Sequence, residues 1–596
     1  MWLMCLIISV ILAALAIVSA IIAHFVSMKC SKSLNPLIFL LGGFVLSACF
    51  MFFPIHRAST GDLAWNVGQA LCLSVFNAMQ VLGLGCEYGI VVEGLQACPT
   101  EIIEIYKFWV SFIYFLTPIF TFSFVLSFFK NACAHIGYWL TCFNRVYIFS
   151  ELNEHSMALA QDIRNKNLWC GIVFTDVFEG NDEKSYELIE RAKVARAICF
   201  KKDILAVNFK FHCKFSEMTF MLIGTDETEN INQAIKLTDI YKKRSNTNFY
   251  VFATKTEGKL LLSTISDGAY KLRRVDVVQS LINRILYEDG QEIFDNANKA
   301  DNGTKNISAV IVGMGDHGTE MLKALSWYCQ MDGYSLKVNA FDKDALASDK
   351  FCAKAPELMS PLYNGVYIHG EAQYDIRIHS DVDVLTQSFA KMIYDIKDAT
   401  YVFVALGDDD LNVVTAVNLR MYFERMGIHP IIKAVVSNSD GKKALNGIAN
   451  YRGQKYNIDF VGDIESSYAR KVVMDSELEK KALARHLKWG EESEFWRYEY
   501  NYRSSMASAI HMEARIKCNI PGAAKKEKDL TGEERTVIET LEHRRWNAYM
   551  RAEGYVFSGS KDKSSRNDLA KMHHDLVDYG SLSEEVKRLD SKVGTN

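Results

Sequence analysis

The sequence predicts a multi-domain membrane protein. Its expected parts are an α-helical transmembrane bundle, two doubly wound α/β domains and a mainly helical C-terminal domain. Three observations carry this. Residues 1 to 145 are greasy while the remainder reads as soluble. Apolar strands alternate with helical patterns twice over, which gives a parallel sheet each time. From about Ala482 the texture changes to helices rich in charge and aromatics. A chain of 596 residues exceeds one core, so several domains are expected. The expected boundaries are 1–135 for the transmembrane domain, 145–297 and 306–475 for the two α/β domains, and 482–596 for the last.

Net charge is −4, which gives no electrostatic case for a nucleic acid polymer as partner. The 14 Cys show neither a CxxC pair nor Cys/His metal spacing, so no zinc site is expected.

The first apolar run, Met1 to Ser27, is long enough to span a bilayer of about 30 Å. A signal peptide is disfavoured, because the basic n-region is missing and the apolar run is too long. Further spans are expected from about Pro36 to Phe53, Leu63 to Leu84 and Phe108 to Phe129. Acidic Glu87, Glu93, Glu101 and Glu104 separate spans three and four, whereas His56-Arg57, Lys130 and Arg145 are basic. The positive-inside rule then puts both termini in the cytoplasm. Lys29 and Lys32 oppose it mildly. The expected location is the inner (plasma) membrane, multi-pass, with cytoplasmic C-terminal domains. Asn66, Gln69, Asn77 and Gln80 make span three polar. They either line a water-filled path in an oligomer or glue helices together. Gly85-Cys-Glu-Tyr-Gly89 lacks the residues of a potassium filter.

In the first α/β domain the strand Arg145–Phe149 runs into Ser150-Glu-Leu-Asn-Glu-His-Ser156 instead of glycines. Glu151 and Glu154 stand where a pyrophosphate would lie, so a dinucleotide is disfavoured there. Asp176 either holds a ribose or caps a strand end.

The second α/β domain opens on Ile307 to Ile311, then Gly313-Met-Gly315-Asp-His-Gly318, then a helical pattern. In this strand–turn–helix fingerprint the first glycine permits a tight turn, the second lets a phosphate approach, and the third lets helix pack on strand. The helix start offers N–H groups to an anion. Asp342 closes the next strand, where a ribose acceptor would sit. Two further stretches match each other: Ile223-Gly224-Thr-Asp226 through Asn230, and Gly407-Asp408-Asp-Asp410 through Asn412. They mark an internal repeat of roughly 160 residues.

This Rossmann-like pair resembles the RCK or TrkA-N family, the cytoplasmic regulatory domains of potassium channels and Trk-type transporters. The resemblance rests on Val310-Ile-Val-Gly-Met-Gly-Asp-His-Gly318, Phe341-Asp342, Val404-Ala-Leu-Gly407-Asp408-Asp409 and Arg274-Val-Asp-Val-Val-Gln-Ser-Leu. It covers about residues 145 to 475. It implies a nucleotide site at Gly313, Gly315, Gly318 and Asp342, with Asp408 near the switch point. It also implies oligomerisation, as a homodimer or homotetramer, and ligand-driven rearrangement of a pore.

The C-terminal stretch carries Arg503-Ser504-Ser505, then Glu542-His543-Arg-Arg545-Trp546, Gly554-Tyr555, His573-His574-Asp-Leu-Val577-Asp-Tyr579 and Leu582-Ser-Glu-Glu585. This order resembles the bacterial form of the ryanodine-receptor (RyR) repeat. Asp575 departs from it, standing where proline is usual, and Met506 stands where asparagine is usual. Guanidinium forks match phosphate oxygens, and aromatics stack on bases. The ligand-binding residues expected are Arg503, Ser504, His543, Arg545, Trp546, Tyr555, His574 and Tyr579. The other reading makes Trp546 and Tyr555 core anchors, with His543 hydrogen-bonded inside.

No nucleophile–base pairing or paired carboxylates at telling spacing appear, so no enzyme is expected. The make-up looks like that of bacterial effectors of nucleotide-signalled antiphage defence. That implies a lipid bilayer and a small nucleotide-derived ligand as partners. NAD, ATP/ADP or a nucleotide second messenger would act as regulatory ligand. The alternatives are a potassium channel or transport regulator controlled by nucleotide, and a membrane-anchored NAD-dependent enzyme.

Overall fold

A computed structural model describes residues 1–29, 36–60, 64–83, 85, 88–126, 130–177, 183–254, 268–301, 303–359, 362–363, 366–367, 374–438, 440–441, 453, 456–474 and 476–595. Cys86 and Glu87 of the filter-like stretch, and Lys32, lie outside these residues. The chain divides into two compact units. One is Met1–Asn153 with Arg164–Phe220; the other is Glu154–Ile163 with Met221–Asn596.

The first unit opens with helices α1 (Trp2–Lys29), α2 (Pro36–Thr60), α3 (Ala64–Leu82), α4 (Tyr88–Gly94), α5 (Ile103–Leu126) and α6 (Lys130–Leu140). Among the described residues three stretches are long and apolar enough to cross a membrane: Trp2–Ala23, Phe39–Thr60 and Ile103–Ser123. The sequence leads one to expect four spans. The remaining one, α3, is a helix of 19 residues, but its amides dilute it below the apolarity of the others. Two of those amides take the gluing role: Asn77 hydrogen-bonds His56 of α2 at 2.9 Å, and Asn66 reaches the Thr60 carbonyl. Gln69 stays exposed. The helices meet closely. A Cβ on Gly43 would collide with Ala16 of α1. Ser9 Oγ donates to the Ser47 carbonyl at 2.8 Å and accepts from Trp109 Nε1 at 2.8 Å, which ties α1, α2 and α5 together. Hydrogen bonds of this kind hold helices where no water competes.

Beyond α6 the first unit holds β1 (Val146–Phe149), β2 (Gly171–Phe174), β3 (Ile198–Cys199) and the start of β4 (Met218–Leu222), in the order β3-β2-β1-β4. β1 and β2 are buried on both faces, as parallel strands covered by helices must be. The second unit takes the end of β4 with β5 (Thr247–Phe252) and β6 (Lys271–Val275), which pair in parallel.

The second unit's own sheet contains β7 (Asn298–Lys299), β8 (Lys305–Val312), β9 (Tyr334–Phe341), β12 (Tyr374–His379), β13 (Tyr401–Val404), β14 (Ile431–Val435) and β15 (Ile458–Val461). The short hairpin β10 (Leu362–Tyr363) and β11 (Val366–Tyr367) stands apart from it. The order is β12-β9-β8-β13-β14-β15, parallel throughout, with β7 antiparallel on β8. This is the doubly wound order, and its switch point lies between β8 and β13.

The core runs on from this sheet into the C-terminal helices. One cluster joins Leu281 and Ile285 of the linker helix Val277–Glu288 to Ile311, Met321 and Leu325. It continues to Ile510 of Glu499–Lys517 and to Leu541 and Tyr549 of Gly532–Ala552. The second α/β domain and the C-terminal module thus share one interior. Trp327 meets the Tyr549 ring edge-on at 6.5 Å, and His511 Nε2 bonds the Gln330 carbonyl at 2.9 Å.

Candidate functional site

The glycine turn follows β8 at the switch point. Gly313 has φ of 93°, a left-handed conformation, and a Cβ there would strike the Ala405 carbonyl at the end of β13. A Cβ on Gly318 would strike the Gly313 carbonyl. These two glycines let turn, strand and helix close on one another. Gly315 differs: nothing lies within 4 Å of a Cβ built on it. It caps the helix Asp316–Tyr328 without any side-chain hydrogen bond. The first turn's N–H groups face the N-terminal end of this helix, the positive end of its dipole.

Asp342 follows β9, as expected. Its carboxylate accepts from the Met314 amide of the glycine turn and from the Asp344 amide at 2.7 Å. It therefore stands beside the turn with lone pairs left for a hydroxyl donor. Asp408 caps the helix Asp409–Met426, accepting from the Leu411 amide at 2.8 Å. Asp409 accepts from the Ser437 and Asn438 amides. The surroundings are acidic, with Asp316 in the helix's first turn, and the helix end supplies positive potential there.

The repeat has a structural counterpart. Asn412 accepts from the Leu406 amide at 2.7 Å and donates to the Val435 carbonyl at 2.9 Å. Asn230 accepts from the Gly224 amide at 2.8 Å and donates to the Phe252 carbonyl at 3.1 Å. Asp226 caps its helix as Asp408 does. Each buried amide stitches two neighbouring strand ends to a helix start.

The expected C-terminal ligand residues are placed differently. Arg545 and Arg515 are each about 1% exposed and flank buried Glu542. Arg545 Nη2 donates to Glu542 Oε1 at 2.8 Å, and Arg515 donates to the other oxygen. Burial alone would raise the Glu542 carboxyl, but Arg545 and Arg515 outweigh it and hold that carboxyl well below its ordinary range. Nearby, Arg485 is pushed down to about 10, first by burial and then against Arg515 and Arg545. His543 is buried, with Nε2 on the Val577 carbonyl at 2.8 Å and Nδ1 3.3 Å from Asp590. Trp546 stacks on His543 and meets His573 edge-on at 4.9 Å. His574 stacks on His573. Tyr579 donates to Glu539 at 2.6 Å, and Tyr555 reaches Asp568 at 3.4 Å. Ser504 is buried on its helix.

Arg503 links the two regions. Its guanidinium lies 3.4 Å from both Glu320 and Glu553. Glu320 sits one turn along the helix that the glycine turn begins, and burial raises its carboxyl. Burial likewise opposes the Arg503 charge, yet Glu553 and Glu320 hold it well above its usual value.

His573, His574 and Asp575 bring their ligand atoms within 4.8 Å of one another, so this group has the donor set to hold a divalent ion. Burial first, then Arg566 and His574, push the His573 imidazole down to about 3, which leaves it neutral and able to ligate.

Two cavities escape sequence reasoning. One of about 710 Å³ and one of about 440 Å³ are both lined by the linker helix Val277–Glu288. Arg284, Glu288 and Lys471 line both. In the larger, buried Lys433 is held by Asp289 at 2.9 Å and Asp459 at 3.1 Å. In the smaller, Arg273 pairs with Glu479 and Arg274 with Glu499. Of the expected ligand residues only Arg503 lines either cavity. The sequence signal for the smaller cavity is Arg274, which opens the stretch Arg274-Val-Asp-Val-Val-Gln-Ser-Leu, with Arg273 just before it.

No family model matches the chain, and no curated protein matches it.

Proposed function

We propose that the chain is a membrane effector gated by a nucleotide-derived signal. It works as an oligomeric ion channel or pore that a ligand at its α/β or RyR-like domains opens, in bacterial antiphage defence. One observation carries the reading. The helix Asp316–Tyr328 begins at a turn left open at Gly315 and packs along the C-terminal helix Gly532–Ala552, with Glu320 held by Arg503. An anion at the helix start would have amides and a dipole to meet it, and Asp342 would take a ribose hydroxyl. The same helix carries that event to the C-terminal module. A ligand moves such an equilibrium only by preferring one arrangement over the other.

Ion flux from liposomes holding the full chain tests this. Flux that rises on adding ADP-ribose, NAD, ATP or a cyclic nucleotide supports the proposal, and Gly315→Val should abolish the response. Potassium-selective flux indifferent to every nucleotide would point instead to a housekeeping potassium channel or transport regulator. NAD turnover would point to an anchored enzyme.

A further inference from the structure

In the first unit, apolar side chains stand in solvent around the end of α6. Trp139, Leu140 and Phe143 project there, the last 78% exposed. Two turns are fastened to the same place. The Cys213 amide bonds the Cys142 carbonyl at 3.0 Å, and the Tyr138 ring lies against His212 and Phe209. This holds the loop 208–216, from which Phe211 and Phe215 protrude, 79% and 94% exposed. The second turn leads into β2 at Gly171, whose Cβ would lie 3.5 Å from Thr141, the residue after α6. It presents Trp169, 84% exposed.

An apolar patch of this kind marks a surface that something covers. Three features favour a bilayer over a protein partner. First, α6 follows and contacts α5, which is long and apolar enough to cross a membrane and ends at Leu126. Second, the protruding loop alternates phenyl rings with exposed Lys210 and Lys214, while the nearest acid, Glu217, is paired with Arg145 at 2.8 Å. Aromatic rings at headgroup depth beside lysines are what an anionic leaflet accommodates. Third, among the described residues of the second unit only Trp489 and Tyr498 are exposed aromatics of this size, so the feature belongs to the part of the chain next to the apolar helices.

We propose that Trp139, Phe143, Trp169, Phe211 and Phe215 form an interfacial belt that seats the first α/β domain in an anionic lipid headgroup layer, with Lys210 and Lys214 on the phosphates. This rests on the anchoring of the N-terminal helices and is independent of any ligand. It gives the first copy a task that its glycine-free turn does not: to fix that domain against the bilayer.

The test uses the full chain in phosphatidylcholine vesicles, with and without phosphatidylglycerol. A photo-cross-linking phenylalanine analogue is placed at position 169, 211 or 215, and at 186 and 489 as exposed controls. Lipid adducts at the first three should exceed those at the controls about tenfold, as expected for side chains buried at headgroup depth. Phosphatidylglycerol should raise them further, and Lys210→Gln with Lys214→Gln should remove that rise. These positions are exposed, so the variants fold. A chain that fails to float with the vesicles overturns the anchoring and the belt together. A chain that floats but yields adducts to a second copy, or none, overturns the belt alone.

Discussion

The turn at Gly313–Gly318 and the guanidinium cluster around Arg545 are both built to meet negative charge. They differ in whether the protein already supplies it. At the turn the helix start is capped by a glycine with no side-chain hydrogen bond, and the space over Gly315 is open. Around Arg545 the anion is Glu542, buried with its two arginines. Residue types that suit a phosphate suit a carboxylate as well, so a cationic cluster identifies a ligand site only when its counter-charge is missing. By that measure the helix start at Gly315 is the more open candidate in this chain, with the Asp342 carboxylate beside it already taking the Met314 amide. His543 and Arg545 lie in the packed interior of the C-terminal module, with Trp546 partly buried against it.

The sharpest way to break this comparison is to remove the internal anion. Glu542→Gln leaves the buried guanidiniums of Arg515 and Arg545 without their salt-bridge partner, and Arg545 Nη1 already lacks a hydrogen-bond partner. The expected cost is about 3–5 kcal/mol. It should be read as lost hydrogen-exchange protection across residues 532–552 of the detergent-solubilised chain. The same carboxylate sets an acid limit. Its folded pKa is depressed, so its contribution is full above the ordinary glutamate value near 4.3 and is lost as pH falls below that. The variant should show no such acid step. Unchanged protection in the variant would mean that the cluster is not held by its internal charge, and would return Arg545 to the ligand residues.

Two glycines three positions apart sharpen the other side. Gly318→Ala drives a methyl into the Gly313 carbonyl and should destabilise the domain by about 1–3 kcal/mol, as overpacking does. Gly315→Ala meets nothing and sits at φ of −64°, which alanine adopts freely. It should shift stability by less than about 0.5 kcal/mol. Its methyl nevertheless enters the open space over the helix start, so calorimetric titration with ADP-ribose or NAD should show weakened binding. Equal binding by wild type and Gly315→Ala would refute the anion site while leaving the fold untouched.

Much of this was legible in the sequence. The steric roles of Gly313 and Gly318 follow from the spacing of the turn, and the repeat at Asp226 and Asp408 is a matter of local helix starts. Both are properties of a few consecutive residues. The buried duty of Asn230 and Asn412 was half visible: their positions matched, but their carbonyl partners lie on strands more than 20 residues away. What stayed hidden was pairing at long range. Glu542 and Arg545 are three residues apart, yet the second arginine on that carboxylate, Arg515, comes from another helix, and Arg503 finds Glu320 across 183 positions. The cavities flanking the linker helix depend on several such pairings at once. The length of α3 was legible, but its standing as a span turned on four amides whose partners, where they have them, lie on neighbouring segments.

Asp408 offers the finest test, because two roles of different size meet in it. As helix cap it satisfies the Leu411 amide. As a charge near the switch point it would bear on any bound anion. Asp408→Ala should lose the cap and about 1 kcal/mol of stability. Asp408→Asn keeps an equivalent acceptor and should cost only a few tenths, but it removes a negative charge. If the open turn receives a phosphate, the asparagine variant should bind the nucleotide as well as wild type or better, since like-charge repulsion is relieved. If Asp408 instead accepts a ligand hydroxyl that needs its full charge, the asparagine variant should weaken binding while melting like wild type. Melting curves and titrations on the two variants separate these outcomes. A stability loss in Asp408→Asn as large as in Asp408→Ala would show that the residue is not acting as a cap.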